Sequence, residues 1–297
     1  MGTAPLTYDV VGVFCDRPFA GNPLAVVHGA ADLTTAQLQA LAREFNLSET
    51  AFPVPGADRV SYDVRIFTPG DEIPFAGHPT VGTAWLLRSR GLLAVDEVVQ
   101  HCGVGPVDVQ VSDGGAELSA RPRWVGEPVL ATSLAAGVGL TADDLVGGSR
   151  VASCGLAWTF LRVRADAVAR CRPGRLDVPA VGGDPMGGLC VYAVLDGSAG
   201  TADSGALTVH ARVFCPDHGI VEDPATGSAA AALGPVLAAE GLATDGTTAY
   251  AIAQGAEVGR PSTLRCRVHV AGGAATRVWV AGGVRRVATG TIDVPPV

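Results

Sequence analysis

Glu49, His78 and Asp223 are the residues in this chain whose types and settings suit proton transfer. Glu49 stands in Asn46-Leu47-Ser48-Glu49-Thr50-Ala51-Phe52, just beyond an expected helix end and just ahead of apolar residues. The partial negative charge of a helix C-terminus and an apolar flank both disfavour a carboxylate. They push its pKa toward neutrality, where a carboxyl group can both take and return a proton. Read alone, the segment fits a solvated turn glutamate better. His78 lies between Gly77 and Pro79 at an expected helix start, where a permissive backbone lets an imidazole approach a ligand. A helix cap or a satisfied buried histidine competes with that reading. Asp223, followed by Pro224, competes in the same way with a plain N-cap.

The pattern Pro-x-x-Gly-[Ser/Thr]-Ala follows both His78 and Asp223, as Pro79-Thr80-Val81-Gly82-Thr83-Ala84 and Pro224-Ala225-Thr226-Gly227-Ser228-Ala229. The preceding strands also match, Val64-Arg65-Ile66-Phe67-Thr68-Pro69 against Ala211-Arg212-Val213-Phe214-Cys215-Pro216. This implies a duplicated strand, turn and helix start, with His78 and Asp223 at equivalent points and two helix N-termini facing one shared site. Thr83 and Ser228, with Gly82 and Gly227, would there supply hydroxyl and backbone N–H donors, a natural receptor for a carboxylate. Asn22, in Gly21-Asn22-Pro23, reads first as a turn-former. The loop Gln254-Gly255 to Gly259-Arg260-Pro261-Ser262 is placed to support the second site.

The elements that must hold these residues are legible as strands and few helices. Tyr8 to Phe14 and Leu24 to Val27 read as strands, and Thr34 with Gln37 marks a capping box before a helix from Thr35 to Phe45. Thr80 to Arg90 and Ser228 to Glu240 read as apolar helices stopped by Gly91 and Gly241. Val98 to Ala120 reads as a hairpin around Asp113-Gly114-Gly115, and Pro122 to Pro128 as the crossing between halves. Val151 to Val163, Leu189 to Leu195, Leu207 to Phe214, Leu264 to Val270 and Arg277 to Val280 are strand-like, and Gly272-Gly273 and Gly282-Gly283 read as turns. The fold class is therefore α+β, with domains expected at 1–127, joined by 284–297, and at 128–283.

Composition narrows the chemistry. The 297 residues contain no lysine, which removes an internal pyridoxal phosphate aldimine, a lysine Schiff base and a Walker-type phosphate lysine. A net charge of −8 argues against nucleic acid or an anionic membrane as partner. Seven scattered cysteines with no Cys-x-x-Cys, and histidines at 28, 78, 101, 210, 218 and 269 with no ligand spacing, predict neither a disulfide framework nor a metal site. No glycine run has the strand–GxGxxG–helix setting of a dinucleotide site. Met1 to Arg17 has no signal-peptide pattern and no apolar run spans a bilayer, so the expected location is the cytoplasm.

Five segments in order, Asp9 to Val27 with Arg17-Pro18-Phe19-Ala20-Gly21-Asn22-Pro23, Asn46 to Phe52, Pro74 to Ala84, Glu222 to Ala229 and Gln254 to Ser262, resemble the PhzF-like isomerases of phenazine biosynthesis. The resemblance spans essentially the whole chain. It implies the diaminopimelate-epimerase-like fold, two pseudo-symmetric domains each with a curved antiparallel sheet around a central helix, and an active site in the cleft between them. It further implies a cofactor-free, homodimeric isomerase of a small carboxylate-bearing molecule. On that resemblance Glu49 is the general acid–base, and His78 and Asp223 assist proton transfer or hold substrate. Gly77, Gly227, Ser228, Thr83 and Asn22 are the expected substrate contacts. The chain departs from the family at Ser153-Cys154-Gly155-Leu156-Ala157-Trp158, where Ser/Thr-Gly-Leu-Pro-Phe is commoner; Cys154 is thus a further candidate contact and the substrate is left open between a phenazine-type dihydro-hydroxyanthranilate and a cyclic imine or enamine amino acid. An amino-acid racemase or epimerase without thiol bases, and a non-catalytic binding relative, are the alternatives.

Overall fold

A computed structural model of the chain describes residues 4–128, 131–174, 183–195, 206–216 and 220–296. Two compact units emerge, Met1–Ser119 with Ala281–Val297, and Ala120–Val280.

The first unit contains β1 (Leu6–Val13), β2 (Asn22–His28), α1 (Thr35–Phe45), β3 (Glu49–Pro55), β4 (Ser61–Phe67), β5 (Glu72–Ile73), α2 (Gly77–Ser89), β6 (Glu97–Cys102), β7 (Gly105–Ser112) and β8 (Gly115–Ala120). The expected capping box forms on α1: the Thr34 hydroxyl accepts from Gln37 N while the Gln37 side chain accepts from Thr34 N. Asn46 closes the helix in the left-handed region, φ 49°, and donates its N–H to Ala42 O. That reversal delivers the chain directly into β3 with Glu49 as its first residue.

The second unit contains β9 (Trp124–Val125), α3 (Thr132–Gly137), β10 (Leu145–Ser153), β11 (Ala157–Val163), α4 (Ala165–Val168), β12 (Met186–Leu195), β13 (Leu207–Cys215), β14 (Ile220–Asp223), α5 (Gly227–Ala239), β15 (Gly246–Gln254), β16 (Ser262–Ala271) and the start of β17 (Ala274–Ile292). The order of pairings repeats between the units. β1/β2 and β10/β11 are antiparallel, and β2/β3 and β11/β12 are parallel across α1 and α4. Further on, β3/β4 and β12/β13 are antiparallel, while β4/β6 and β13/β15 are parallel across α2 and α5.

Each sheet is therefore mixed, not antiparallel as expected. Wherever a helix links two neighbouring strands it returns the chain to the same end of the sheet, and the next strand must run parallel. Val98 to Ala120 forms three strands, not one hairpin, and the 122–128 crossing contains β9, which pairs with β10. Val151 to Val163 is two strands broken at Cys154-Gly155-Leu156. Gly282-Gly283 is no turn: β17 runs straight through it, because Gly282 lets the strand lie on Phe14, where a Cβ would overlap the ring.

α2 and α5 are apolar on nearly every side and are buried almost throughout, the signature of a helix enclosed by its sheet. Gly82 of α2 packs on Val11, Val13 and Leu24, and Gly234 of α5 on Tyr250, Val268 and Val278. The far end of α2 is pinned by Arg90, whose guanidinium lies 2.6 Å from the fully buried Asp9 of β1, with His28 at 2.9 Å. Burial opposes ionisation of Asp9, and hydrogen bonds from Arg90 and His28 outweigh it, so its pKa is lowered. No helix among the described residues is long and apolar enough to cross a membrane.

Candidate functional site

In the first unit β2, β3 and the start of α2 bring Asn22, Ser48, Glu49 and His78 together. The parallel register sets Leu24 beside Glu49, so Asn22-Pro23 lies next to Ser48-Glu49. The Ser48 hydroxyl donates to Asn22 Oδ1 at 3.3 Å. Asn22 is fully buried, and the turn before it depends on Gly21 at φ 71°, where a Cβ would strike Val13 O.

His78 Nε2 lies 3.3 Å from Glu49 Oε2, with the histidine side chain 5% and the glutamate side chain 14% exposed. The imidazole also hydrogen-bonds the Pro23 carbonyl. Since Nε2 makes no hydrogen bond, the donor to Pro23 is Nδ1–H. Burial drives the His78 pKa down to about 3, with the Pro23 hydrogen bond opposing, so the ring is neutral and its Nε2 is a bare acceptor. A bare nitrogen and an ionised carboxylate repel, and the contact is attractive only with a proton between them. Glu49 and His78 therefore form a pair suited to hold one proton, with the half-buried carboxyl as the member that can meet a ligand.

Among the other first-unit candidates, Gly77 begins α2 behind Ala76, which provides no side-chain cap, and His78 lies in the first turn rather than before it. Thr83 is a full turn farther along, completely buried, and its hydroxyl has no hydrogen-bond partner among the described residues. A buried chain runs behind the loop: Tyr62 Oη donates to Gln100 Oε1, Gln100 Nε2 to Thr80 Oγ1, and Thr80 Oγ1 to Ala76 O.

In the second unit Asp223 ends β14 and is not the N-cap of α5. The N-cap is Thr226, and Pro224 stands before the helix, not at its first position. The Thr226 hydroxyl donates to Asp223 Oδ2 at 2.5 Å, so it caps no amide of α5. Gln254, from the loop singled out in the sequence, binds both sides of this turn: Nε2 donates to Asp223 O at 2.7 Å and to Thr226 Oγ1 at 3.0 Å, and Oε1 accepts from Thr226 N at 3.3 Å. Gly227 is buried and Ser228 half-buried in the first turn.

The expected equivalence of His78 and Asp223 is corrected by these positions. Ile73 and Asp223 each end the short strand before the helix, Pro74 and Pro224 follow, Gly77 and Gly227 each open the helix, and His78 matches Ser228. The first half carries Pro-x-x-Gly twice, at Pro74-Phe75-Ala76-Gly77 and at Pro79-Thr80-Val81-Gly82. The repeat shared with Pro224 to Ala229 matches the second copy, whereas the helix starts at the first. The Pro23 carbonyl, a backbone atom, left no sequence signal; Thr226 could have been found as a Thr immediately before a helix-opening Gly.

Cys154 sits in the β10–β11 turn, and burial of its thiol pushes its pKa up to about 12. Burial likewise pushes Cys171 to about 11 and Cys190 to about 12. No cysteine lies in the first turn of α2 or α5. Among the described residues no cluster of His, Cys, Asp and Glu could hold a metal; His218 lies outside them.

The sequence profile of the PhzC-PhzF family, phenazine biosynthesis-like proteins, matches residues 11–290. An uncharacterized isomerase of Mesorhizobium japonicum is 35% identical over 97% of this chain and 97% of its own length. A trans-2,3-dihydro-3-hydroxyanthranilate isomerase of Pseudomonas chlororaphis is 30% identical over 96% and 98%. The crystal structure of a PhzF-family phenazine biosynthesis protein from Bacillus anthracis superposes with a TM-score of 0.81 at 22% identity, covering 98% of this chain and 99% of that one, and shares its fold.

Proposed function

The chain belongs to the PhzC-PhzF family, and from that premise we propose that it is an isomerase that shifts a double bond and a proton in a small, cyclic, carboxylate-bearing intermediate of secondary metabolism. The observation that carries the chemistry is the contact between Glu49 Oε2 and His78 Nε2 at 3.3 Å, with the other ring nitrogen committed to Pro23. In this reading the Glu49 carboxylate takes a proton from an activated carbon, the electron pair moves into the adjacent double bond, and the carboxylic acid returns the proton at the other end of the unsaturated system. Atoms and charge balance without an added oxidant or reductant. Neutral His78 keeps the proton within the pair between the two steps, and its fixed tautomer prevents it from acting as a second acid.

We assign Asp223, Gly227 and Ser228 to holding substrate polar groups, with the uncapped start of α5 receiving the carboxylate. The strand and helix order repeated in both units, each around one enclosed helix, supports the diaminopimelate-epimerase-like fold. Two-thiol racemisation is disfavoured because the described thiols of Cys154, Cys171 and Cys190 are held protonated by burial.

The experiment is incubation of the purified chain with trans-2,3-dihydro-3-hydroxyanthranilate, the substrate in the relative's name, and with a cyclic imine amino acid, in heavy water. Isomerised product supports the reading and distinguishes the two substrate classes, and a proton held within the pair predicts that the product retains the substrate's own hydrogen with little solvent deuterium. Stereochemical inversion with no movement of the double bond would replace it with an epimerase. We further propose a homodimer in the cytoplasm; a monomer by light scattering would remove the dimer.

A further inference from the structure

Trp158 stands near the start of β11, and its setting carries an inference that rests on the isomerase reading. The residue is 2% exposed and its indole Nε1 has no hydrogen-bond partner among the described residues. By contrast, Trp85 donates to Asp113 O at 3.1 Å and Trp124 to Asp184 Oδ2 at 3.0 Å. A buried donor left unmatched costs on the order of 1–3 kcal/mol, so an orphan of this kind points to an acceptor supplied from outside the chain.

The position of the orphan is set by strand alternation. Leu161 and Val163 of β11 enter the core formed with α3 and α4, so Trp158, Phe160 and Arg162 face the other way, toward α5. Arg162 meets Glu240, the C-cap of α5, at 3.0 Å. At the other end, Tyr250 donates to Ala230 O in the first turn of α5. The register across the sheet leads from Trp158 to that same end: Trp158 is opposite Gly188 of β12, Leu189 opposite Phe214 of β13, and Val213 opposite Asp223, from which the chain turns into α5. Trp158 therefore stands at the sheet end from which α5 starts, about 13 Å of strand back from Arg162.

The seat for the ring is specific. Gly187, the extra residue where β12 shifts register against β11, lies against the indole, and a Cβ there would overlap ring atoms Cε2 and Cζ2. The turn leading into β11 is anchored by Ser153 Oγ, which donates to Asp184 Oδ2 at 2.6 Å and accepts from Gly155 N. The neighbouring helix start has no side-chain cap, since Thr226 is turned to Asp223. An uncapped helix N-terminus and a buried indole donor thus occupy the same end of α5.

We propose that Trp158 is a specificity-determining residue whose indole N–H donates to an oxygen of the bound ring carboxylate while the α5 N-terminus faces its charge. A phenylalanine at this position could pack but could not read that oxygen.

The test compares three proteins: the natural chain, Trp158→Phe, and a chain carrying the sulfur isostere 3-benzothienylalanine at position 158, which keeps the ring shape and removes only the donor. Anthranilate binding is measured by calorimetry, and KM and kcat with trans-2,3-dihydro-3-hydroxyanthranilate. Both variants should bind anthranilate roughly tenfold or more weakly, the share of a hydrogen bond to a charged acceptor, and raise KM more than they lower kcat. Equal affinity in the folded isostere variant, or no anthranilate binding by the natural chain, overturns the assignment. Turnover with unchanged affinity in the isostere variant would leave the isomerase reading and remove Trp158. Donor-dependent binding without turnover would do the reverse for that substrate.

Discussion

Replacing Glu49 by glutamine changes one atom of the proton pair and leaves its shape. The Glu49 carboxyl faces a nitrogen whose lone pair is exposed only because Nδ1–H is spent on Pro23. A glutamine amide can donate to that lone pair, so Glu49→Gln should fold, keep the 3.3 Å contact and bind substrate. It cannot carry a proton between carbon atoms. The expected loss in kcat is therefore the ~10²–10⁴-fold that general acid–base catalysis contributes, with KM nearly unchanged. Glu49→Asp supplies the graded control: it keeps the acid but withdraws it by about 1.5 Å, one carbon–carbon bond, and a displacement of that size costs about 10²-fold. Product formation and deuterium uptake from heavy water, followed for all three chains at equal concentration, give the comparison. Turnover in Glu49→Gln within a few-fold of the natural chain, with the protein folded, would show that another residue moves the proton.

Three further outcomes follow from the same geometry. His78 is buried with its pKa lowered from 6.5 to about 3, so the unfolded chain binds the extra proton first; stability should fall as pH drops from about 6.5 toward 3, and in denaturant titrations His78→Gln should lose less over that window. An equally steep decline in the variant would refute the burial argument. Gly21→Ala combines a positive φ with an overlap on Val13 O and should lower the melting temperature and the activity together, by more than the ~1 kcal/mol typical of a point mutation, because it moves Asn22 and Pro23; a melting temperature equal to the natural chain's would contradict it. Iodoacetamide at neutral pH should leave Cys154 and Cys190 unmodified in the folded protein, as both thiols are pushed up to about 12, and peptide mass spectrometry checks this, with rapid labelling of either as the refuting result.

Local signals were sufficient for local structure. Thr34 and Gln37 announce α1, Gly91 and Gly241 announce the ends of α2 and α5, and Gly21-Asn22-Pro23 announces the turn into β2, because capping and positive-φ requirements act within a few residues. The ordered motifs were likewise enough for the family, and they single out Glu49 and His78, which the structure brings within 3.3 Å of each other. What they could not supply was any relation that depends on register across strands or on which of two similar turns starts a helix. The Pro-x-x-Gly pattern occurs twice near His78, and only packing of Gly82 against Val11, Val13 and Leu24 assigns the second copy to the helix interior and the first to its start. Parallel strands leave no mark in the sequence because alternation looks the same in either direction. The tautomer of His78 was decided by a carbonyl 55 residues away in sequence, on Pro23, and the seat of the Trp158 ring by a glycine on the neighbouring strand. Side-chain identity is written along the chain, but desolvation and hydrogen-bond partnership are properties of the enclosure that distant segments build around it, and only the tertiary structure could decide them.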